Sequence, residues 1–263
     1  MLYEVGGKLV SESLLSLYPV LVKNLPVSFE LQVWSRCFTY AAISLFFINW
    51  GFVQTHLLSP VGVLLSLVTT AHIYCSYQGF LRLESGTAYT LFYLYPILIL
   101  LFSGEPVKPV FALAVIGVAL IYAENLGGNL DAYGLTMIGL AAVTEAAIYF
   151  IVRRLKTDNN WNHLFLSYFF GAVILTPLLY KQIVENLGQQ AFSLSVLSNG
   201  FIGIVGYYLR FYATSHLTPS IYAPLSYFGV VMSHFYGLVI NGEPITAYKT
   251  MGTLLIILAN LTP

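Results

Sequence analysis

Apolar runs of about 17–20 residues, separated by short polar turns, follow one another along the chain, and each is long enough to cross ~30 Å of hydrocarbon as a helix. The clearest case is Pro219 to Leu261, two such runs joined by Asn241-Gly242-Glu243-Pro244, which predicts a membrane-spanning helical hairpin. Much the same unit occurs at Ser85 to Leu126, with Gly104-Glu105-Pro106 standing where Gly242-Glu243-Pro244 stands later. Tyr89 matches Tyr222, and Glu124-Asn125-Leu126 matches Ala259-Asn260-Leu261. The chain therefore reads as two copies of one module. Ten residues separate Tyr95 from Glu105, whereas sixteen separate Tyr227 from Glu243, so a helix of the first copy is expected to be short or locally broken.

The pattern predicts an all-α integral membrane protein of ten transmembrane helices, at 9–23, 31–49, 60–81, 86–103, 109–125, 132–153, 162–180, 195–216, 219–240 and 246–261. The first copy ends near Gly127-Gly128-Asn129, which divides the chain into five-helix repeats at 1–128 and 129–263. An odd number of spans per copy puts the two copies in opposite orientation across the bilayer, the inverted-repeat plan of many secondary transporters. Pro19, Pro96, Pro177 and Pro224 lie inside apolar runs and predict kinks. Gly200, Gly203 and Gly206 recur every three residues, a spacing that lets neighbouring helices approach closely.

Composition sharpens this picture. Hydrophobic residues make up 58% of the chain and charged residues 8%, against roughly 25% charged in a soluble domain. Short loops leave no room for an extramembrane enzyme domain. The formal net charge is +0, which removes the clustered cations that nucleic-acid binding needs. Cys37 and Cys75 fall inside apolar runs and read as packing residues, without a disulfide framework or metal site. The first apolar stretch carries Glu12 and Pro19 and reads as a span, not as a cleavable signal peptide. The basic cluster Arg153-Arg154-Leu155-Lys156 places its loop, and with it both termini, in the cytoplasm, with Lys8 and Lys108 counted on the same side and Lys23, Arg82, Lys181 and Lys249 opposite. Short loops and the absence of a targeting signal point to a prokaryotic plasma membrane.

Tyr222-Ala223-Pro224-Leu225-Ser226-Tyr227, Gly237, Gly242-Glu243-Pro244 and Gly252 in the last hairpin, with Arg36, Tyr95-Pro96, Gly104-Glu105-Pro106 and Gly117 in the first half, resemble the drug/metabolite transporter superfamily and its EamA-type members. The resemblance implies a ten-helix bundle working by alternating access, with a central cavity lined by the first, third, fourth, sixth, eighth and ninth spans. It gives Arg36 the role of an interfacial anchor or helix tether. It makes Glu105 and Glu243 structural residues at membrane borders, each orienting the helix that follows through its positive N-terminus.

An ionisable residue near the bilayer centre costs at least about 2.5–3.5 kcal/mol on insertion scales, so it faces an interior and has a partner or a job. Glu145, mid-span in LAAVTEAAIYFIVRRL, is the strongest such signal. A carboxylate here also resembles the acidic residue of choline-transporting members; the other reading is a carboxylate neutralised by an arginine or a proton. Glu12 occupies the repeat-related place, ahead of Tyr18 as Glu145 is ahead of Tyr149, and stands either in the cavity or at the interface beside Lys8. Arg210 corresponds in the repeat to Ser76-Tyr77-Gln78; it either pairs with Glu145 or holds a substrate carboxylate or phosphate through its planar fork. Twenty tyrosines contribute to an aromatic content of 16%. Tyr74, Tyr77, Tyr89, Tyr93, Tyr207, Tyr222 and Tyr227 lie on the spans expected to line the cavity, where tyrosine faces beside a carboxylate suit an ammonium group. His72, His216 and His234 lack ligand spacing and read as packing or interface residues.

These residues predict a secondary transporter of a small polar metabolite, an amino-acid-like zwitterion or organic cation, with the lipid bilayer and H+ as partners and no cofactor, metal or catalytic group. A nucleotide-sugar or other phosphorylated-metabolite exchanger is the alternative within transport. A channel or non-transporting membrane scaffold is the alternative of another class.

Overall fold

The computed structural model describes residues 2–104, 109, 111–123 and 131–261. The chain is 84% helical, and no strand occurs among the described residues. Among the described residues, six helical stretches are long and apolar enough to cross a membrane: Leu2–Asn24, Pro60–Arg82, Ala132–Arg154, Asn160–Leu178, Gln190–His216 and Pro219–Asn241. The protein is an integral membrane protein. The repeat boundary at Gly127-Gly128-Asn129, and with it Glu124, Lys108 and Glu105, lies outside the described residues.

Side-chain caps mark where helices begin. Ser28 caps α3 (Phe29–Ser44), Asn49 caps the short α4 (Trp50–His56), Ser59 caps α5 (Pro60–Arg82), Asp131 caps α9 (Ala132–Arg154) and Asn159 caps α10 (Asn160–Leu178). Because Asn49 opens a separate helix, the span expected at 31–49 stops at Ser44. Outside the spans, the Gly134 N–H and the Arg82 guanidinium hold the Asp131 carboxyl below the usual carboxylate range.

Several spans are interrupted. The first divides into α1 (Leu2–Leu15) and α2 (Tyr18–Asn24), with Pro19 in the first turn of α2. The fourth divides into α6 (Ser85–Phe92) and α7 (Tyr95–Ser103), because Pro96 cannot donate to the carbonyl of Phe92 and opens a new helix instead. α7 has 9 residues, whereas α15 (Phe228–Asn241), which also precedes a Gly-Glu-Pro turn, has 14. The helix ahead of α15 is interrupted as well: α14 (Pro219–Ser226) ends at Tyr227, whose N–H turns back to the Pro224 carbonyl at 3.1 Å. The eighth span runs through α12 (Gln190–Ser198), a π-helical segment (Asn199–Gly203) and α13 (Ile204–His216). α8 (Phe111–Ala123), α11 (Tyr180–Asn186) and α16 (Ala247–Leu261) complete the order.

The most extensive packing is α5 on α9, α8 on α16, α3 on α10 and α1 on α13. Each of these crossings has a glycine where a Cβ would crowd the neighbouring helix: Gly79 against Ile138, Gly117 against the Gly252 backbone, Gly171 against Cys37, and Gly206 against Leu15. Helices in lipid gain little from hydrophobic exclusion, so close backbone approach supplies the dispersion contacts that hold the pair. A Cβ on Gly117 would lie 2.6 Å from the Gly252 carbonyl oxygen, a backbone atom that cannot swing aside. Gly117→Val is expected to push α8 off α16 at a cost of about 1–3 kcal/mol, read as a lower unfolding temperature of the detergent-solubilised protein.

Candidate functional site

At the centre of the bundle one guanidinium is shared by two carboxylates. Arg210 on α13 donates through Nη1 to Glu145 Oε1 at 2.7 Å and through Nη2 to both oxygens of Glu12 at 3.2 Å. Glu12 also accepts from the Lys8 ammonium one turn earlier on α1 and from the Tyr93 hydroxyl at the α6–α7 break. All four charged residues are 3% exposed or less. Two acids and two bases balance, which is the condition under which charges persist in a low-dielectric interior.

Aromatic rings and one imidazole close the cluster. The Lys8 Nζ lies 3.6 Å above the Tyr222 ring of α14, and Arg210 faces Tyr207 at 5.3 Å and Tyr95 at 5.9 Å. His72 on α5 places Nε2 3.4 Å from Glu145 Oε2, while its Nδ1 lies 3.1 Å from the Ala141 carbonyl. Glu145 Oε2 makes no hydrogen bond among the described residues. Gly229 of α15 completes the packing, since a Cβ there would lie 2.1 Å from the Tyr93 hydroxyl and 2.8 Å from Glu12 Oε2. Lys8 and Glu12 come from α1, His72 from α5, Tyr93 from the α6–α7 break, Glu145 from α9, Arg210 from α13 and Tyr222 from α14. Ser11 Oγ donates to the Gly206 carbonyl at 2.7 Å and fixes α1 against α13 beside the cluster.

The structure thus brings Glu12, Glu145, Arg210, Tyr93 and Tyr222 together. It corrects the placement of Lys8: α1 begins at Leu2, so Lys8 is a fully buried helical partner of Glu12 and not a loop charge. His72, read from sequence as packing, touches Glu145. Tyr89 packs tilted against Tyr93, ring centroids 4.9 Å apart, one ring behind the cluster. Tyr149 packs on Tyr222 at 4.9 Å and accepts from Arg153 Nη1 at 2.7 Å. Tyr149 and Arg153 line a mixed polar and apolar cleft of about 450 Å³ with Phe102, Ser103, Phe150, Arg154 and Pro219, so the Tyr149–Tyr222 ring pair stands between that cleft and Lys8.

Other candidates go elsewhere. Tyr77 belongs with Arg36, which is 2% exposed inside the bundle and donates to the Tyr77 hydroxyl at 3.4 Å. Gln78 is half-buried and hydrogen-bonds neither group among the described residues. Tyr74 is 44% exposed and meets Phe29 edge to face, away from the cluster. Glu243 does act at a helix N-terminus, but not at that of the following helix α16. Gly242 turns left-handed at φ 67, Gly237 leaves room for the carboxylate, and Glu243 accepts from the N–H groups of Ser85 at 3.2 Å and Gly86 at 3.4 Å, the first turn of α6. Among the described residues no group of His, Cys, Asp or Glu is arranged to hold a metal ion, and both cysteines are free and buried.

The model of the EamA-like transporter family matches residues 132–261. This half of the chain belongs to the EamA-like transporter family. No curated protein matches the sequence. A solved crystal structure, described only as that of a protein, shares the fold with a TM-score of 0.69 at 17% identity, covering 98% of this chain and 96% of its own. The EamA-like half supplies Glu145, Arg210 and Tyr222, whereas Lys8, Glu12, His72 and Tyr93 come from residues ahead of the match. The cluster therefore ties the EamA-like half to the rest of the molecule.

Removing one member of a buried ion pair leaves an uncompensated charge, at about 3–5 kcal/mol. Arg210→Met is expected to lower the unfolding temperature sharply. Arg210→Met combined with Glu145→Leu leaves the balanced Lys8–Glu12 pair and is expected to recover much of the loss. A thermal-unfolding double-mutant cycle checks this: additive losses would show that the two residues are not coupled.

Proposed function

We propose that this membrane protein is a secondary active transporter of a small polar metabolite, an amino-acid-like zwitterion or organic cation, coupled to H+ and working by alternating access. The observation that carries the reading is the shared guanidinium: Arg210 holds carboxylates from α1 and α9 at once. A proton or a substrate ammonium on Glu145 would remove the charge that Arg210 pairs with there, leaving Arg210 to Glu12 and loosening α9 from α13. Binding energy at one carboxylate would then become a change in helix packing, as population shift requires of a ligand that prefers one of two states. The Tyr149–Tyr222 pair would be the barrier on the side of the Arg153 cleft.

Ten transmembrane helices in two inverted repeats, 1–128 and 129–263, fit this mechanism. The matched segment, 132–261, coincides closely with the second repeat, and both copies carry a broken fourth span, at Tyr93–Leu94 and at Tyr227. Interrupted helices near the midplane put helix ends and unpaired backbone groups beside the site, the arrangement used by carriers of this plan. A π-segment in the eighth span adds a further irregular stretch of the kind that recurs at functional sites. A prokaryotic plasma membrane with both termini cytoplasmic remains the setting we assign, on Arg153, Arg154 and Lys156; Lys8, being buried, no longer counts toward it.

A nucleotide-sugar or other phosphorylated cargo is less well served, because Arg210 is already engaged by two carboxylates. In proteoliposomes carrying an imposed pH gradient, labelled amino acids and quaternary amines are expected to move saturably and in a pH-dependent way. Glu145→Gln is expected to abolish the pH dependence while the protein still folds. Unchanged pH-driven uptake in Glu145→Gln would remove the carboxylate from the mechanism, nucleotide-sugar exchange would replace the cargo, and single-channel steps would replace the carrier by a channel.

A further inference from the structure

A second buried cation lies beside the first and lacks its compensation. Arg36 on α3 is 2% exposed, and among the described residues no carboxylate lies within ion-pair distance of it. Arg210 and Lys8 each reach a carboxylate; Arg36 has tyrosines instead. The rings of Tyr18 and Tyr207 face its guanidinium at 4.6 and 4.7 Å, and those of Tyr77, Tyr40 and Tyr168 at 5.5, 5.7 and 5.9 Å. Its hydrogen bonds are long, 3.4 Å to the Tyr77 hydroxyl and 3.5 Å to that of Tyr168, and its Nε has no partner among the described residues. Ring faces attract a cation, but they do not neutralise it. A guanidinium carries five donors in a fork that matches a carboxylate, so this one is under-used both in charge and in hydrogen bonding.

We propose that the Arg36 cage is the receptor for the carboxylate of the transported molecule. This rests on the carrier reading and names the substrate class as zwitterionic. Arg36 would bind the carboxylate through its fork. Tyr77 and Tyr168, which accept from Arg36, each keep a phenolic proton to donate to the same group. The cage sits where the bundle is least regular: Tyr18 opens α2 after the first break, and Gly203 of the π-segment lies so close to the Tyr18 and Tyr40 hydroxyls that a Cβ there would overlap both. Tyr207 joins the two sites, since its ring faces Arg36 on one hand and Arg210 on the other. A molecule carrying both charges would set its carboxylate on Arg36 and its ammonium toward the Glu12–Glu145 pair. The described arrangement, with every cage tyrosine buried, is then a closed state that must open at the π-segment or the α1–α2 break to admit it.

The test is thermal unfolding of the purified, detergent-solubilised protein in sodium HEPES buffer, titrated at matched ionic strength with acetate, glycine betaine, inorganic phosphate and choline chloride. Acetate and glycine betaine are expected to raise the unfolding temperature saturably by at least about 3 °C, and choline chloride to lack the carboxylate-dependent part of the shift. Arg36→Met is expected to unfold, without ligand, at or above the wild-type temperature, because an unpaired buried charge is gone, and to lose the acetate shift. The Tyr77→Phe, Tyr168→Phe double variant is expected to keep the wild-type baseline and weaken the shift. An acetate response that is absent in the wild type or survives in Arg36→Met overturns the assignment, as does a response to phosphate alone. An Arg36→Met baseline well below wild type makes the cage a structural tether and overturns it equally. Glu145→Gln is expected to keep the acetate shift, so loss of carboxylate binding with pH-driven transport intact removes this site and leaves the carrier standing.

Discussion

Everything at the centre of this bundle depends on one guanidinium having two carboxylates to satisfy. Arg210 cannot lose its charge and cannot leave the interior, so Glu12 and Glu145 must stay within reach of it, and α1, α9 and α13 are held at one level by that requirement. Lys8 supplies the second positive charge and makes the group neutral as a whole. Neutrality as a set is compatible with rearrangement as individuals. In the proposed mechanism, a proton or an incoming ammonium at one carboxylate would change which partner Arg210 holds without placing a bare charge in hydrocarbon.

The backbone around the cluster is irregular. Tyr93 and Tyr95 stand at the α6–α7 break, Tyr222 lies in the short helix that ends at Tyr227, and Arg210 lies two turns past the π-segment on α13. Proline causes the break before α7, and in α14 it weakens the helix just ahead of Tyr227. Elsewhere the bundle is pinned, by glycine-mediated crossings and by Glu243, which reaches from the end of α15 to cap α6. Rigid helix pairs with irregular segments between them are what rocking of one half against the other requires.

The membrane architecture and the main charges are legible in the sequence for a plain reason. A carboxylate or guanidinium inside an apolar run has no cheap explanation, so the hydropathy pattern alone singles out Glu145, Arg210 and Glu12. Lys8 escapes it, because it falls just ahead of the first expected span and resembles a border charge; the helix starts earlier and carries it inside. His72 is hidden by being a single histidine, whose meaning comes only from α9 packing Glu145 against it. Nothing in the order of residues tells that Tyr77 turns toward Arg36, or that Glu243 caps a helix from the other half, because both are tertiary contacts between segments more than 40 residues apart in the chain. The break at Tyr93–Leu94 leaves two traces in the sequence, Pro96 and the length mismatch between the two Gly-Glu-Pro hairpins.

Infrared difference spectroscopy on acidification reports the central claim directly, because the carbonyl stretch of a protonated carboxyl is separate from that of a carboxylate. The account predicts a protonated-carboxyl band in the wild-type protein that is absent in Glu145→Gln and is suppressed when a transported ammonium compound is bound. A band that persists unchanged in Glu145→Gln, or the absence of any such band across the pH range in which transport occurs, would contradict it.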